Sequence, residues 1–162
     1  MNIIYIIEGE NEEKLFRAFI NNGYIPPGKI FVKNLMQNEL ENSYSIFDKK
    51  IDIVYCVIDT DVCKQCNIDV FKKNHKLLLE KTKRVYLLIQ NKNLEQELSK
   101  ALNKNCIELY KIFKCTKEKD FKSRFNKTTQ LIQIIENCNI NYKLLWYKYE
   151  NFKNILDNSQ KH

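Results

Sequence analysis

The run of residues 51–61, Ile-Asp-Ile-Val-Tyr-Cys-Val-Ile-Asp-Thr-Asp, decides the fold of this chain. Its first eight residues are mostly apolar and rich in β-branched side chains, a pattern typical of a strand buried on both faces of a sheet. Two carboxylates then follow at positions 59 and 61. In extended backbone, side chains two residues apart point to the same side, so Asp59 and Asp61 can face one ligand together.

Three further apolar runs and several helical patterns surround this strand. Strands are predicted at 2–7, 30–35 and 85–89, and helices at 11–22, 68–81 and from 94 onward. Residues 36–50 are polar and predict only a short helix. The alternation predicts an α/β domain with a mostly parallel four-stranded sheet flanked by helices.

The chain divides into two parts in this interpretation. Residues 1–105 form the α/β core, and residues 106–162 form a helical C-terminal extension packed on the same domain. Helices of the extension are expected near 106–114, 118–125, 127–137 and 143–156.

Length and hydropathy limit the class of protein. The chain has 162 residues, 44% of them hydrophobic, which suits one compact domain. No run approaches the ~18 apolar residues of a membrane span. The apolar N-terminus lacks a basic flank and a small-residue cleavage site, so it does not match a secretory signal. We expect a soluble cytoplasmic protein that does not span a membrane.

The formal net charge of +7 is unevenly distributed. Residues 1–61 carry a net charge of −4, and residues 62–162 carry +11. The basic half indicates a polyanion partner, with candidate nucleic-acid contacts at Lys111, Lys114, Lys122 and Arg124. The alternative is that these cations form the solvated face of amphipathic helices whose aromatic residues lie in the core.

Carboxylates follow three of the predicted strands. Glu8 ends the first strand, Asp59 and Asp61 end the third, and Glu95 lies just past the fourth; Glu12 follows Glu8 by four residues. In parallel sheets ligands bind outside the carboxyl ends of the strands. Closely packed carboxylates repel unless a cation neutralises them, and hard cations such as Mg²⁺ prefer oxygen ligands. The alternative is that these residues are helix caps and loop carboxylates.

The cysteines predict no metal site. Cys63 and Cys66 have the spacing of zinc ligands, but no second such pair exists and His75 is the one histidine nearby. We therefore predict no zinc and interpret the six cysteines as reduced thiols, several of them buried.

Two of these motifs resemble a known family. Ile6-Ile7-Glu8-Gly9-Glu10-Asn11-Glu12 and Val57-Ile58-Asp59-Thr60-Asp61 resemble the Toprim domain of topoisomerases, primases and nucleases. The Glu-Gly-x-x-Glu form is closer to nucleases of the overcoming-lysogenization-defect (OLD) type than to topoisomerases. Gln90-Asn91-Lys92-Asn93-Leu94-Glu95 is similar to an element of the RloB and AbiLii type proteins, with Gln90 and Lys92 departing from the pattern. The resemblance covers about residues 1–105.

The resemblance implies a Toprim-like (Rossmann-like) fold and phosphodiester hydrolysis with Mg²⁺ or Mn²⁺. It implies Glu8, Asp59 and Asp61 as catalytic residues, and Glu8, Glu12, Asp59, Asp61 and Glu95 as metal ligands. The substrate would be DNA or RNA. Because the RloB and AbiLii types belong to phage defence and often occur beside an ABC-type ATPase, it also implies a defence role and an ATPase partner.

Two other functions stay open at this point. One is a non-catalytic or conditionally active effector subunit that works with the ATPase. The other is RNA processing of the kind performed by the 5S rRNA-maturing Toprim nuclease, whose Glu-Gly-Lys-Asp-Asp pattern the run Glu10-Asn11-Glu12 does not match. The sequence leaves the oligomeric state undetermined.

Overall fold

The computed structural model describes residues 1–41, 44–47, 50–60, 65–90, 92–141 and 144–146, with side chains omitted for 65–67. The strands are β1 (Ile3–Ile7), β2 (Lys29–Val32), β3 (Ile51–Asp59) and β4 (Thr82–Gln90). The helices are α1 (Glu10–Asn21), α2 (Gln65–Lys81), α3 (Leu94–Ala101), α4 (Cys106–Ile112), α5 (Glu118–Lys127) and α6 (Leu131–Asn137). A single 3₁₀ turn, Ser45–Phe47, lies between β2 and β3.

The four strands form one sheet in the order β2-β1-β3-β4, and every pair is parallel. The predicted α/β class is confirmed, and the sheet is wholly rather than mostly parallel. The chain leaves β1 for β2 on one side and then returns to place β3 on the other. The carboxyl ends of β1 and β3 therefore flank the point where the strand order reverses, which is where open α/β sheets bind ligands.

The sheet is covered on both faces. Ile4, Ile6, Val54 and other residues of one face pack under α2 through Phe71 and Leu78. The opposite face of β1, including Tyr5 and Ile7, packs against Phe16 of α1. All five residues of β1 are buried, as a continuous apolar run predicts.

The helices after α3 share a second core with α1. Leu15 and Phe19 of α1 pack in one cluster with Leu98 of α3 and with Phe121 and Phe125 of α5. Residues four apart lie on one side of a helix, so Phe121 and Phe125 fix which face of α5 turns inward. This contact places α5 beside α1 and beside the carboxyl edge of the sheet.

The predicted boundaries fail where exposure hides the pattern. Strand β4 begins at Thr82, directly after α2, and not at residue 85 as predicted. Its first residues include the exposed Lys83 and Arg84, so the start of the strand lacks the apolar pattern on which the prediction depends. Strand β2 ends at Val32 because the side chain of Asn34 accepts hydrogen bonds from two following backbone N–H groups and turns the chain.

The extension differs from prediction at its centre. Helix α5 continues to Lys127, and α6 begins only at Leu131 because residues 128–130 break the helix that was expected from 127. The helix predicted near 143–156 lies outside the described residues except for 144–146. No helix in the described ranges is long and apolar enough to cross a membrane.

Gly28 permits the close approach of the loop before β2 to β1. A Cβ at this position would lie 2.8 Å from the backbone oxygen of Ile3 and 2.8 Å from the ring of Tyr5. The Tyr5 hydroxyl donates a 2.7 Å hydrogen bond to the Pro26 oxygen, so the ring has little room to move. We expect Gly28→Ala to lower the free energy of unfolding by about 1–3 kcal/mol.

Urea denaturation measures this change. Gly23→Ala is the control, because no atom lies within 4 Å of its added Cβ and it lowers the free energy of unfolding only through the φ of 74°. Gly9→Ala is unsuitable, because a Cβ there would contact the site described below. An unfolding free energy that is unchanged in Gly28→Ala would contradict the packing described for this loop.

Candidate active site

Glu8 and Asp59 meet at the reversal point of the sheet. Strands β1 and β3 are hydrogen-bonded neighbours, and each ends in or next to one of these carboxylates. Glu8 Oε1 accepts a 3.2 Å hydrogen bond from the Asp59 backbone N–H. The two residues predicted from separate strand ends are therefore in direct contact.

The Glu8 carboxylate is held from both sides. Its second oxygen, Oε2, accepts a 3.1 Å hydrogen bond from the Asn34 side-chain amide, just beyond β2. Asn34 Oδ1 accepts from the backbone N–H groups of Met36 and Gln37, each at 3.0 Å, and this orients the amide nitrogen toward Glu8. Glu8 thus joins the ends of three neighbouring strands and is fixed in position.

Glu12 lies in the first turn of α1 and is only 7% exposed. Its Oε2 lies over Gly9, where a Cβ would come within 3.3 Å, and its Oε1 accepts a 3.3 Å hydrogen bond from the Gln90 side chain. Burial raises the pKa of Glu12, and the nearby charge of Glu95 raises it further, while Lys122 opposes the shift. Glu12 is a buried carboxylate with a second carboxylate close by.

Glu95 comes to the same place from the turn after β4. It is 2% exposed and lies in the first turn of α3, whose N-terminus is capped by the Asn93 side chain accepting from the Gln96 N–H at 3.1 Å. Thr60 links this turn to the end of β3: its hydroxyl donates to the Gln90 oxygen at 3.0 Å and accepts from the Lys92 N–H at 2.9 Å. These bonds set the position of α3 relative to Asp59.

These carboxylates line one cavity of about 350 Å³. Its wall also carries Lys122 and Asn126, which are one turn apart on α5 and lie beside the buried Phe121 and Phe125. The lining residues are Glu8, Gly9, Glu10, Asn11, Glu12, Asn34, Asp59, Asn93, Leu94, Glu95, Lys122 and Asn126. Its described lining residues include five carboxylates, four amide side chains and a single lysine.

Of the residues predicted as metal ligands, the structure brings four to this cavity: Glu8, Glu12, Asp59 and Glu95. Asp61 lies outside the described residues. Among the predicted nucleic-acid contacts, Lys122 lines the same cavity, whereas Lys114 and Arg124 line a different one. Lys111 is exposed on α4.

Sequence reasoning did not select Asn34 or Asn126. Asn34 follows β2, so the strand-end rule that selected Glu8 and Asp59 also applies to it. Asn126 had no such signal, because its place at the cavity depends on how α5 packs against α1. Gln90, which supports Glu12, belongs to the quoted Gln90-to-Glu95 run but was interpreted there only as a departure from the family pattern.

The donors of the cavity fit a hard divalent cation. Each side chain that could bind a metal among the described lining residues offers a carboxylate or amide oxygen, the set that Mg²⁺ and Mn²⁺ prefer. Asn11 Oδ1 is buried and has no hydrogen-bond partner among the described residues, so it is one further oxygen available to a cation. As the side chains are placed, no three Asp, Glu, His or Cys residues of the described chain are grouped to hold an ion.

Among the residues that the structure describes, no thiol or imidazole lines this cavity. His75 stacks on Phe71 with ring centroids 5.8 Å apart, and burial lowers its pKa. Cys56 and Cys115 are buried free thiols, which confirms that some cysteines act as small apolar residues. Cys63 and the side chain of Cys66 lie outside what the structure describes.

Comparison with known proteins adds no relative to this description. No family model, no curated protein and no solved structure matches the chain.

Proposed function

We propose that this protein is a metal-dependent phosphodiesterase that hydrolyses DNA or RNA with Mg²⁺ or Mn²⁺. The observation that carries the proposal is the cavity in which Glu8, Glu12, Asp59 and Glu95 face Lys122. Carboxylates suit a hard cation, and a lysine among them suits a phosphate that binds the same cation.

Glu8, Asp59, Glu12 and Glu95 would hold the cation, with Asp61 as a further ligand from the sequence motif. A bound Mg²⁺ or Mn²⁺ supplies Lewis-acid polarisation of the phosphate and lowers the pKa of a bound water. Glu12 and Glu95 support this assignment because two buried carboxylates that repel each other are stabilised by a positive charge between them.

The chain itself supplies position and charge. The hydrogen bonds from Asn34 and from the Asp59 N–H hold Glu8 with its two oxygens in fixed directions. Lys122 places an ammonium group at the cavity wall, where it attracts a phosphate and stabilises charge that develops on it.

A hydrolysis assay tests the proposal. Purified protein is incubated with bis(p-nitrophenyl) phosphate and with labelled DNA and RNA, in the presence of Mn²⁺, Mg²⁺, Ca²⁺ or EDTA. We expect hydrolysis with Mn²⁺ or Mg²⁺ and none with EDTA. Absence of hydrolysis of every substrate under all metal conditions would reject the function.

Metal binding is also expected to stabilise the fold. At a cation concentration about a hundred times the dissociation constant, binding contributes about 2.7 kcal/mol. For a chain of this size that corresponds to a rise of about 5–10 °C in the thermal midpoint. Thermal unfolding followed by circular dichroism, with and without Mn²⁺, measures it; an equal rise in Asp59→Asn would show that the cation binds elsewhere.

The Toprim-like assignment, the phage-defence role, the cytoplasmic location and the ABC-type ATPase partner are part of the same proposal and rest on the sequence. They predict that the purified chain associates with such an ATPase. The hydrolysis assay repeated with that partner distinguishes a nuclease active alone from an effector active only in the complex.

A further inference from the structure

Two further cavities lie beside the carboxylate cavity, around the C-terminal half of α5. A second cavity, of about 810 Å³, shares Asn126 with the first and lies between α1 and the segment that joins α5 to α6. A third, of about 230 Å³, shares Lys127 and Thr128 with the second and reaches Lys114. Neighbouring cavities therefore share walls around the C-terminal half of α5, and we call the surface that they line, from the carboxylates to Lys114, the groove.

The groove beyond Asn126 is basic. It is lined by Lys14, Lys114, Arg124 and Lys127, and Glu136 is the one carboxylate among the described residues of its wall. Glu136 is itself engaged by the Tyr24 hydroxyl. Within the described ranges, none of the exposed cations Lys114, Lys122, Arg124 and Lys127 is within ion-pair distance of a carboxylate.

Contacts with the backbone determine the positions of two of these cations, Lys114 and Lys14. Lys114 has a φ of 55°, a left-handed conformation that costs a non-glycine residue about 1–2 kcal/mol, and it follows the end of α4 where glycine or asparagine is usual. The Lys14 ammonium group donates to the Asn126 backbone oxygen, which fixes it at the junction of the first two cavities. The Lys114 conformation ends α4, with the N–H groups of Lys114 and Cys115 donating to the oxygens of Lys111 and Tyr110, and so determines where Lys114 leaves the helix.

We infer that this groove binds one strand of a polynucleotide and leads it into the carboxylate cavity, an inference that rests on the proposed function. A small ligand fills a single pocket of about 300–1,000 Å³, whereas this surface is lined by three neighbouring cavities. A row of cations matches the regular negative charge of a phosphate backbone. The amides and hydroxyls of the second cavity, including Asn21, Thr128 and Gln130, are suited to phosphate and sugar contacts.

The substrate is therefore a polymer, with several phosphates bound on one side of the scissile bond. Lys122 is closest to the carboxylates, and Lys127 lies five residues farther along α5, a rise of about 7.5 Å. Contacts outside the carboxylate cavity should add affinity for a long strand that a single phosphodiester cannot use.

A pair of matched triple variants tests the path. The groove variant is Lys114→Glu, Arg124→Glu and Lys127→Glu; the control is Lys76→Glu, Lys81→Glu and Arg84→Glu, three exposed residues on α2 and β4. Both replace two lysines and one arginine, so both change the net charge equally. Thermal midpoints of the two variants confirm that each is folded.

Fluorescence anisotropy in EDTA measures binding of a labelled single strand of about 20 nucleotides, longer than the usual site of a single-strand binding domain. We expect the groove variant to bind at least about tenfold more weakly than wild type. The slope of log affinity against log salt should fall by about 2, since each lost single-strand phosphate contact removes about 0.7. The control variant should keep its affinity within about twofold and its slope.

Equal losses in both variants, or none in the groove variant, would overturn the inference. So would competition by an acidic peptide of the same charge that is as effective as the unlabelled oligonucleotide. The binding assay uses EDTA, so it stands apart from catalysis. Strand binding through the groove without hydrolysis rejects the phosphodiesterase alone, whereas hydrolysis of bis(p-nitrophenyl) phosphate with no groove effect rejects the strand path alone.

Discussion

Asp59→Asn is expected to lower metal-dependent hydrolysis at least about a hundredfold while leaving the protein folded. The substitution keeps the size of the side chain and the backbone N–H that donates to Glu8 at 3.2 Å. It removes the negative charge at the point where β1 and β3 end, which is where a cation and its phosphate would bind. Initial rates with bis(p-nitrophenyl) phosphate and Mn²⁺ measure the loss.

The same strand offers a matched control. Asp52 lies at the opposite end of β3, where its carboxylate accepts from the Asn2 N–H at 2.8 Å and binds the Lys83 ammonium at 2.5 Å. Lys83 and the Asn2 N–H hold the pKa of Asp52 at about 2. Asp52→Asn therefore removes one carboxylate from β3 without touching the cavity, and its hydrolysis rate should stay within about twofold of wild type.

Glu8→Gln should reproduce the effect of Asp59→Asn for a different reason. Each Glu8 oxygen accepts one N–H, from Asn34 and from Asp59, so the amide nitrogen of glutamine would face a donor on one side or the other. The variant loses both charge and orientation. If Glu8→Gln and Asp59→Asn both hydrolyse at the wild-type rate, the carboxylate cavity is not the active site.

The strand ends could be predicted because each continuous apolar run stops at a carboxylate. The buried runs of β1 and β3 are continuous and apolar, so the position where each one stops is visible in the sequence. The parallel arrangement then places Glu8 and Asp59 side by side. Glu95 can be predicted by the same rule from the end of β4. The rule also applies to Asn34 after β2, but that strand is half exposed and its end is less distinct in the sequence.

Lys122 could not be singled out by sequence. It is one of many lysines in a segment whose apolar stripe, Phe121 and Phe125, shows only which face of α5 is buried. Whether Lys122 or Arg124 is near the carboxylates depends on the side from which α1 approaches α5, a contact between residues about a hundred positions apart. Helical periodicity shows which face of α5 is buried, but not which of its exposed residues lies next to the carboxylate cavity.

Substitution of Glu12 in α1 and of Glu97 in α3 should change the free energy of unfolding in opposite directions, which distinguishes a carboxylate placed to bind a cation from one that only stabilises the fold. Glu12→Gln is expected to raise the free energy of unfolding of the metal-free protein by about 1 kcal/mol at pH 7. Burial and the charge of Glu95 raise the pKa of Glu12, so the fold favours its neutral form. Glutamine removes the charge that costs stability. Its single oxygen replaces two that accept from Gln90 and from the backbone N–H groups of Gly9 and Glu12, and this loss limits the gain.

The pH dependence follows from the direction of that shift. A carboxyl group whose pKa is raised on folding costs no stability below its unfolded pKa, near 4, and costs progressively more as the pH rises through the folded pKa. The advantage of Glu12→Gln should therefore be present at pH 7 and disappear toward about pH 4. Urea denaturation at the two pH values measures it, and an advantage of equal size at both would contradict the assignment.

Glu97→Gln is the matched comparison, with the opposite expected sign. Glu97 is also buried, at 1% exposure, but its Oε2 accepts from the Lys100 ammonium at 2.7 Å and from the Trp146 N–H at 2.9 Å. Loss of these charge-assisted bonds should lower the free energy of unfolding by about 1–3 kcal/mol. Mn²⁺ should still stabilise this variant as it does the wild type, and should stabilise Glu12→Gln less. Opposite signs with a selective loss of the Mn²⁺ effect identify Glu12 as a group positioned for a cation, because a carboxylate kept only for the fold would behave as Glu97 does.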